Sequence, residues 1–353
     1  MLAVQKAEPK SGFTLAEVPV PSPGPGEVLV EIEACGICGS DVHVYEWTSG
    51  YEWMKPLMPV TIGHEFAGRV VETASDVTSI SKGDRVTVWP SMSCGTCQAC
   101  RDAQPEHCER KVTLGLTRHG AFATHVTTPA GQCFVLPDNV DFELASLTEP
   151  LCVGARAVEV GEVKLGHSVV VLGAGMIGLA TALMARRSGA SRVIVVGKDD
   201  PVRLRVAQSL GFADTIDLSE ADLAAEVQRR VGAKVDRVFE ATGVTASIHD
   251  GLSILRRGGV LVVTGIHSRP VEIGLTDLVR NKHQLRGSHG ATRSTWVTVL
   301  KLLAQCGEDF RQLISHRLPL AETIHGFELS LRKQASKVVI MPKMAGANTK
   351  EEP

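Results

Sequence analysis

The chain has 353 residues, 44% of them hydrophobic and 22% charged, and its 37 basic and 39 acidic side chains leave a net charge of −2. That length exceeds what one hydrophobic core usually serves, so two domains are expected. The charge balance excludes a broad cationic surface for nucleic acid, and the opening MLAVQKAEPK lacks an apolar signal-peptide core, so the expected location is the cytoplasm.

In chain order, the first elements are short strands and turns. GEVLVEIEACGICGSD alternates like a half-buried strand, and GRVVETA and GDRVTVWP are similar pieces. The Pro-rich VPVPSPGPG is a surface connector. SCGTCQACRDAQPEHC then gathers Cys94, Cys97, Cys100 and Cys108, four of the nine cysteines, in a C-x2-C-x2-C-x7-C pattern. In a reducing compartment, clustered cysteines are more often metal ligands than disulfides. Four thiolates close a tetrahedral zinc site and leave no position for a substrate, which makes this lobe structural. An iron–sulfur cluster is the alternative, but its usual final x3 spacing followed by Pro is absent.

From Val169 the rhythm changes. Val169–Leu172 reads as a strand, Met176–Arg187 as a helix, Arg192–Val196 as a strand and Pro201–Leu210 as a helix that Gly211 can cap. SEADLAAEVQRRVG reads as a helix with Ser219 at its N-cap and Asp222 completing a capping box. Val235–Glu240 is a strand, Ser247–Arg257 a helix and GGVLVVTG a strand. Strands alternating with helices imply an α/β, doubly wound parallel sheet covered on both faces. The uncharged run Val169 to Ala185 is broken by three glycines, so a strand, turn and helix explain it better than a membrane span.

Those glycines, Gly173, Gly175 and Gly178, form G-x-G-x-x-G between a strand and a helix. The spacing suits a dinucleotide: a tight turn, close backbone approach to a pyrophosphate, and close helix–strand packing. The N–H groups of the helix that begins at Met176 and Ile177 would face the phosphates. The second strand ends VVGKDD. Asp199 could reach ribose hydroxyls and favour NAD; Lys198 with Arg203 would instead accept the phosphate of NADP. Two solvated acids at a helix start are the bland alternative.

Beyond about Ser288 the alternation weakens. The segment LISHRLPLAETIHGFELSLRKQASKVVIM is expected to return to the first domain, and GANTKEEP reads as a frayed tail. The expected division is residues 1–156 with 290–353, and residues 157–289.

Outside the cysteine lobe, ACGICGSDVHVY offers Cys35, Cys38, Ser40, Asp41 and His43, TIGHEFAG offers His64 and Glu65, and LTEPLCVGARA offers Glu149 and Cys152. Zinc takes such mixed sulfur, nitrogen and carboxylate ligands, and a catalytic site keeps one position open. Individually each residue is unremarkable.

Together, CGICGSDVH, GHEFAGRV, the four-cysteine lobe and GAGMIG resemble the zinc-dependent medium-chain alcohol dehydrogenase family, in its order and approximate spacing over nearly the whole chain. The resemblance implies a Rossmann domain plus a β-rich GroES-like catalytic domain, and a homotetramer or dimer. It implies catalytic zinc ligands Cys38 and His64, with Glu65 a direct or exchanging ligand. Glu149 stands where one branch has a cysteine, which is similar to the polyol and threonine dehydrogenase branch; there it ligates the metal or holds the metal-bound water. Ser40 and His43 match the family's proton relay, whereas Cys35, Cys133, Cys152 and Cys306 match no ligand position and read as small buried side chains.

VHVYEWTSGYEWMKP and ISHRLPLAETIHGFE are similar to the threonine dehydrogenase group. Two departures stand out: the segment from Cys38 to His64 is one residue longer, and Ser91 replaces that group's substrate-tuning His. The expected reaction is therefore oxidation of a secondary alcohol of a polyol or sugar-derived substrate. An amino alcohol such as L-threonine, or a simple diol, is the alternative. Trp47, Trp53 and Trp89 are candidates for the pocket wall, with ordinary packing the rival explanation.

Overall fold

A computed structural model of the chain describes residues 1–345; the GANTKEEP tail lies outside the described residues. The chain divides into two compact units, one built from Met1–Glu149 and the residues from Leu300 onward, the other from Pro150–Val299.

In the second unit, six parallel strands lie in the order Thr215–Asp217, Arg192–Gly197, Ser168–Leu172, Val235–Glu240, Leu255–Val263, Gln284–Gly287. In sequence order this is 3-2-1-4-5-6, the doubly wound arrangement whose switch point falls beside the first strand. The runs VVVL, VIVV and VLV are buried because helices cover both faces, which removes any need for polar alternation.

Two expectations are corrected. The helix after Ser219 begins at Leu223, with Asp222 as its N-cap accepting from Ala225 N at 2.8 Å. Ser219 is unavailable because its hydroxyl and backbone N both donate to Asp217 Oδ1 at the preceding strand end. The helix expected to reach Arg257 is Thr245–Ile254. Leu255 already pairs with Val235, so the sheet claims the residues beyond it.

In the first unit the central strand is Glu27–Gly36, paired antiparallel with Glu65–Thr73, with Lys337–Ile340 and with His125–Pro129. Val28, Val30, Ile32, Phe66, Val70, Val86, Val338 and Ile340 pack into its core. The register sets Gly36 opposite both Glu65 and Val339. Three segments distant in sequence therefore end at one place, just before Cys38. Among the described residues, no helix is long and apolar enough to cross a membrane.

Candidate functional site

Where the central strand ends, Cys38 becomes the N-cap of the helix Gly39–Glu46. Cys38 N donates to Asp41 Oδ2 at 3.1 Å, and Asp41 Oδ1 stands 3.4 Å from His64 Nδ1. One fully buried carboxylate thus holds the cysteine turn and faces the imidazole at ion-pair distance without a hydrogen bond to it, the place a carboxylate takes behind a metal-ligating histidine. The other ring nitrogen, Nε2, lies 3.5 Å from Ser40 Oγ. Ser40 and His43 are three residues apart on this helix and so share a face. Burial, followed by the Glu65 charge, pushes the Cys38 thiol up. Burial pulls His64 down, but Asp41 and Cys38 outweigh it and hold the imidazole well above its usual range.

Glu65 and Glu149 flank this pair. Lys337 Nζ donates to Glu65 Oε2 and, at 2.8 Å, to the carbonyl of Ile37. Burial opposes the lysine's charge, yet Glu65 and Cys38 together raise its pKa. Gly36 is required here: a Cβ would fall 2.4 Å from Glu65 Oε2 and 3.4 Å from Lys337 Cε. The Glu149 carboxyl is pushed up to about 7, chiefly by burial and also by the Glu65 and Asp41 charges, against the opposing pull of His64 and Lys337. A thiol, an imidazole and two carboxylates gathered here, with His64 and Glu65 buried and Cys38 and Glu149 half-buried, suit zinc. Glu65 Oε1, buried without a hydrogen-bond partner among the described residues, is an acceptor that a cation would satisfy.

The lobe is tighter. Among the described residues, the sulfurs of Cys94, Cys97, Cys100 and Cys108 alone form a ligand group with all atoms within 4.8 Å of one another. Cys97 Sγ lies 3.5 Å from Cys100 Sγ and 3.8 Å from Cys108 Sγ. Sulfurs around a tetrahedral zinc are separated by roughly 3.8 Å, whereas a disulfide would need about 2 Å. Backbone N–H groups of Thr96 and Cys97 donate to Cys94 Sγ and draw its pKa down to about 5. Burial and the neighbouring Cys97 push Cys100 up to about 11. Ser91 lies in the short strand Ser91–Met92 that pairs with Val112–Thr113 at the flank of this lobe.

In the second unit, Gly173 has φ +112, and a Cβ on Gly178 would fall 1.8 Å from Gly173 O. Both glycines are therefore required, one by the turn and one by close packing. Gly175 caps the helix Met176–Arg187, and a Cβ there would meet nothing within 4 Å. The helix N-terminus that Met176 and Ile177 begin is open to an anion at this glycine. At the next strand end, Lys198 and Asp199 are exposed and Asp199 takes φ 48, its N–H donating to Asp217 Oδ1. Arg203 pairs with Asp200, Nη1 to Oδ2 at 3.5 Å.

Residues 24–138 match the family described as alcohol dehydrogenase GroES-like domain, and residues 177–305 the family described as zinc-binding dehydrogenase. The chain is 34% identical over 348 residues to the L-threonine 3-dehydrogenase of Caldanaerobacter subterraneus subsp. tengcongensis, covering 97% of this chain and 99% of that one. The chain belongs to the zinc-dependent medium-chain alcohol dehydrogenases. A Sinorhizobium meliloti 1021 structure bound to NADP superposes on this dehydrogenase with TM-score 0.88 at 31% identity, over 97% of this chain and 99% of that one. The 2R,3R-butanediol dehydrogenase of Bacillus subtilis superposes with TM-score 0.87 at 29% identity, over the same shares of 97% and 99%. The dehydrogenase is thus an oxidoreductase of CH–OH donors, with zinc and a nicotinamide dinucleotide as its cofactors.

One residue of this dehydrogenase's site escapes a reading of motifs. Asp41 is offered by the cysteine motif, an acid three positions after Cys38, but its place behind His64 is not. Lys337 comes from the far end of the chain, and its only trace is a lysine opening the apolar run KVVIM. Cys35, Cys133 and Cys152 are buried, but Cys306 is only half-buried, its thiol donating to Leu302 O at 3.2 Å. Of the tryptophans, Trp53 is 46% exposed and Trp47 packs beneath Lys6.

Proposed function

We propose that this dehydrogenase oxidises the secondary alcohol of a small substrate with a polar neighbour at the adjacent carbon, an amino alcohol of the L-threonine kind foremost. What supports the reading is the electrostatic proximity of half-buried Cys38 and Glu149 to buried His64 and Glu65, with Asp41 behind two of them. Cys38, His64 and Glu149 would hold the catalytic zinc, with Glu65 held in reserve by Lys337. Cys94, Cys97, Cys100 and Cys108 would hold the structural one. When bound, zinc supplies Lewis acidity to the hydroxyl and the nicotinamide accepts the carbinol hydride.

The chain's own side chains do the rest. Ser40 Oγ accepts the substrate proton and passes it along its helix face to His43, which delivers it to solvent. Gly173, Gly175 and Gly178, with the helix start at Met176 and Ile177, receive the pyrophosphate. Asp199 would hold the ribose of NAD. A second reading, NADP held by Lys198 with Arg203, is supported by the absence of a carboxylate at Gly197 and by the NADP-bound relative.

Sequence alone favours a polyol, but the relatives named L-threonine 3-dehydrogenase move the amino alcohol ahead. Ser91, in place of that group's His, supports the polyol as second reading. The experiment is reduced-nicotinamide absorbance with zinc-loaded protein, offering NAD and NADP against L-threonine, polyols and simple diols. Turnover of L-threonine above the others is expected. Turnover of a polyol alone would install the second reading, and silence across the panel would overturn both.

A further inference from the structure

Lys6 ends the strand Leu2–Lys6 and is fully buried. Its Nζ donates to the carbonyls of Lys10 and Gly12, and lies 5.0 Å from the Trp47 ring centroid and 5.5 Å from that of Phe13. Among the described residues, carbonyl oxygens and ring faces surround this charge in place of a carboxylate. Burial draws the lysine's pKa down to about 8. An ammonium buried without a counter-ion works against folding, and methionine would fill the same length without that penalty. Packing alone does not account for a lysine here.

What the ammonium touches leads to the relay helix. Trp47 is the C-cap of Gly39–Glu46, with φ 58 and ψ 49. A bulky residue seldom adopts that left-handed conformation unaided, and a cation over its ring holds it in place. Because the chain turns there, Thr48 folds back on the helix. Its N–H donates to His43 O at 3.1 Å, and its Oγ1 lies 3.3 Å from His43 Nδ1. The turn that Lys6 organises is joined to the same helix end, since Gly12 N donates to Tyr45 O at 2.7 Å.

We propose that Lys6 is a positioning residue for His43: its cation fixes the Trp47 turn, and that turn presses the Thr48 hydroxyl against Nδ1, which decides the ring nitrogen left to move the proton. The proposal rests on the reading of Ser40 and His43 as the relay. A partner on one imidazole nitrogen sets the tautomer and so the role of the other.

The test compares zinc-loaded full-length protein with its Lys6→Met, Lys6→Arg and Thr48→Val variants. Lys6→Met and Thr48→Val should each lower kcat about tenfold, less than the roughly 100- to 10,000-fold that a proton-transfer group contributes in full, because His43 itself remains. KM should stay within about twofold, because substrate and cofactor contacts are untouched. Lys6→Arg should retain most of the wild-type rate. Nitrogen-15 NMR of histidine-labelled protein, recorded without substrate, should show the His43 signals shifted in both Lys6→Met and Thr48→Val. Unchanged His43 signals in Lys6→Met would overturn the proposal whatever the substrate. So would a loss of kcat that Lys6→Arg shares in full and that is accompanied by a lowered Tm. If Lys6→Met does not fold, Thr48→Val and Lys6→Arg decide by the same readouts. A wild type that turns over no alcohol while its His43 signals respond would sink the proposed function and leave the positioning role standing.

Discussion

Lys337 and Glu65 form an ion pair in which each side chain is 1% exposed, although 272 residues separate them. The pair ties the last strand of the first unit to the strand that begins beside His64. It gives one Glu65 oxygen a partner and leaves the other, Oε1, without one among the described residues. Glu65 is therefore restrained by the lysine while keeping a free acceptor beside Cys38 and His64.

Removing the lysine should expose what that restraint contributes. In Lys337→Met the Glu65 carboxylate is stranded in a buried place, and breaking one side of such a pair costs about 3–5 kcal/mol. Urea unfolding of the zinc-loaded variant reads this directly. Lys337→Met combined with Glu65→Gln should recover most of the loss, since neither charge then remains. A single variant as stable as wild type would mean that Glu65 finds another partner or a metal.

The four-cysteine lobe should matter to folding and not to chemistry. Cys97→Ser should release one zinc equivalent and lower Tm by about 10 °C or more, because a closed site contributes its binding energy to the fold. The KM for the alcohol should be nearly unchanged at temperatures where the variant is folded. Full stability with both zincs retained would refute the structural role.

The motifs and the second unit were largely legible because their physics is local. A G-x-G-x-x-G between strand and helix needs no distant partner to be understood, and the backbone agrees at Gly173 and Gly178. The two misread helix boundaries came from longer-range pairing: Asp217 captured Ser219, and Val235 captured Leu255. The catalytic half was legible as residue types but not as an arrangement. Lys337, the partner of Glu65, became visible only when the closing strand was laid against Glu27–Gly36. Lys6 was invisible for the same reason, since its relation to Trp47 runs between two elements that no motif links.

Glu149 gives a pH signature with a definite sign. Its folded-state pKa, about 7, lies above its ordinary value of 4.5, so the fold holds its proton more tightly than the unfolded chain does. That contribution is fully present below 4.5 and is lost as pH rises through 7. For zinc-free protein, the urea midpoint of wild type should therefore fall relative to Glu149→Gln between pH 5 and 7.5. Zinc requires the charged carboxylate, so its stabilising effect should grow over the same window. Parallel midpoints for the two proteins would show that Glu149 does not carry the shift.

On this reading Cys38 belongs to a metal-dependent catalytic centre distinct from the cysteine lobe. Its most direct test is zinc content and alcohol-dependent nicotinamide reduction, measured together on wild type and Cys38→Ser. The wild type should hold two zincs and turn over, and the variant should keep its fold with one zinc and no turnover. A Cys38→Ser protein that retains both metals and reduces the cofactor at the wild-type rate would contradict it.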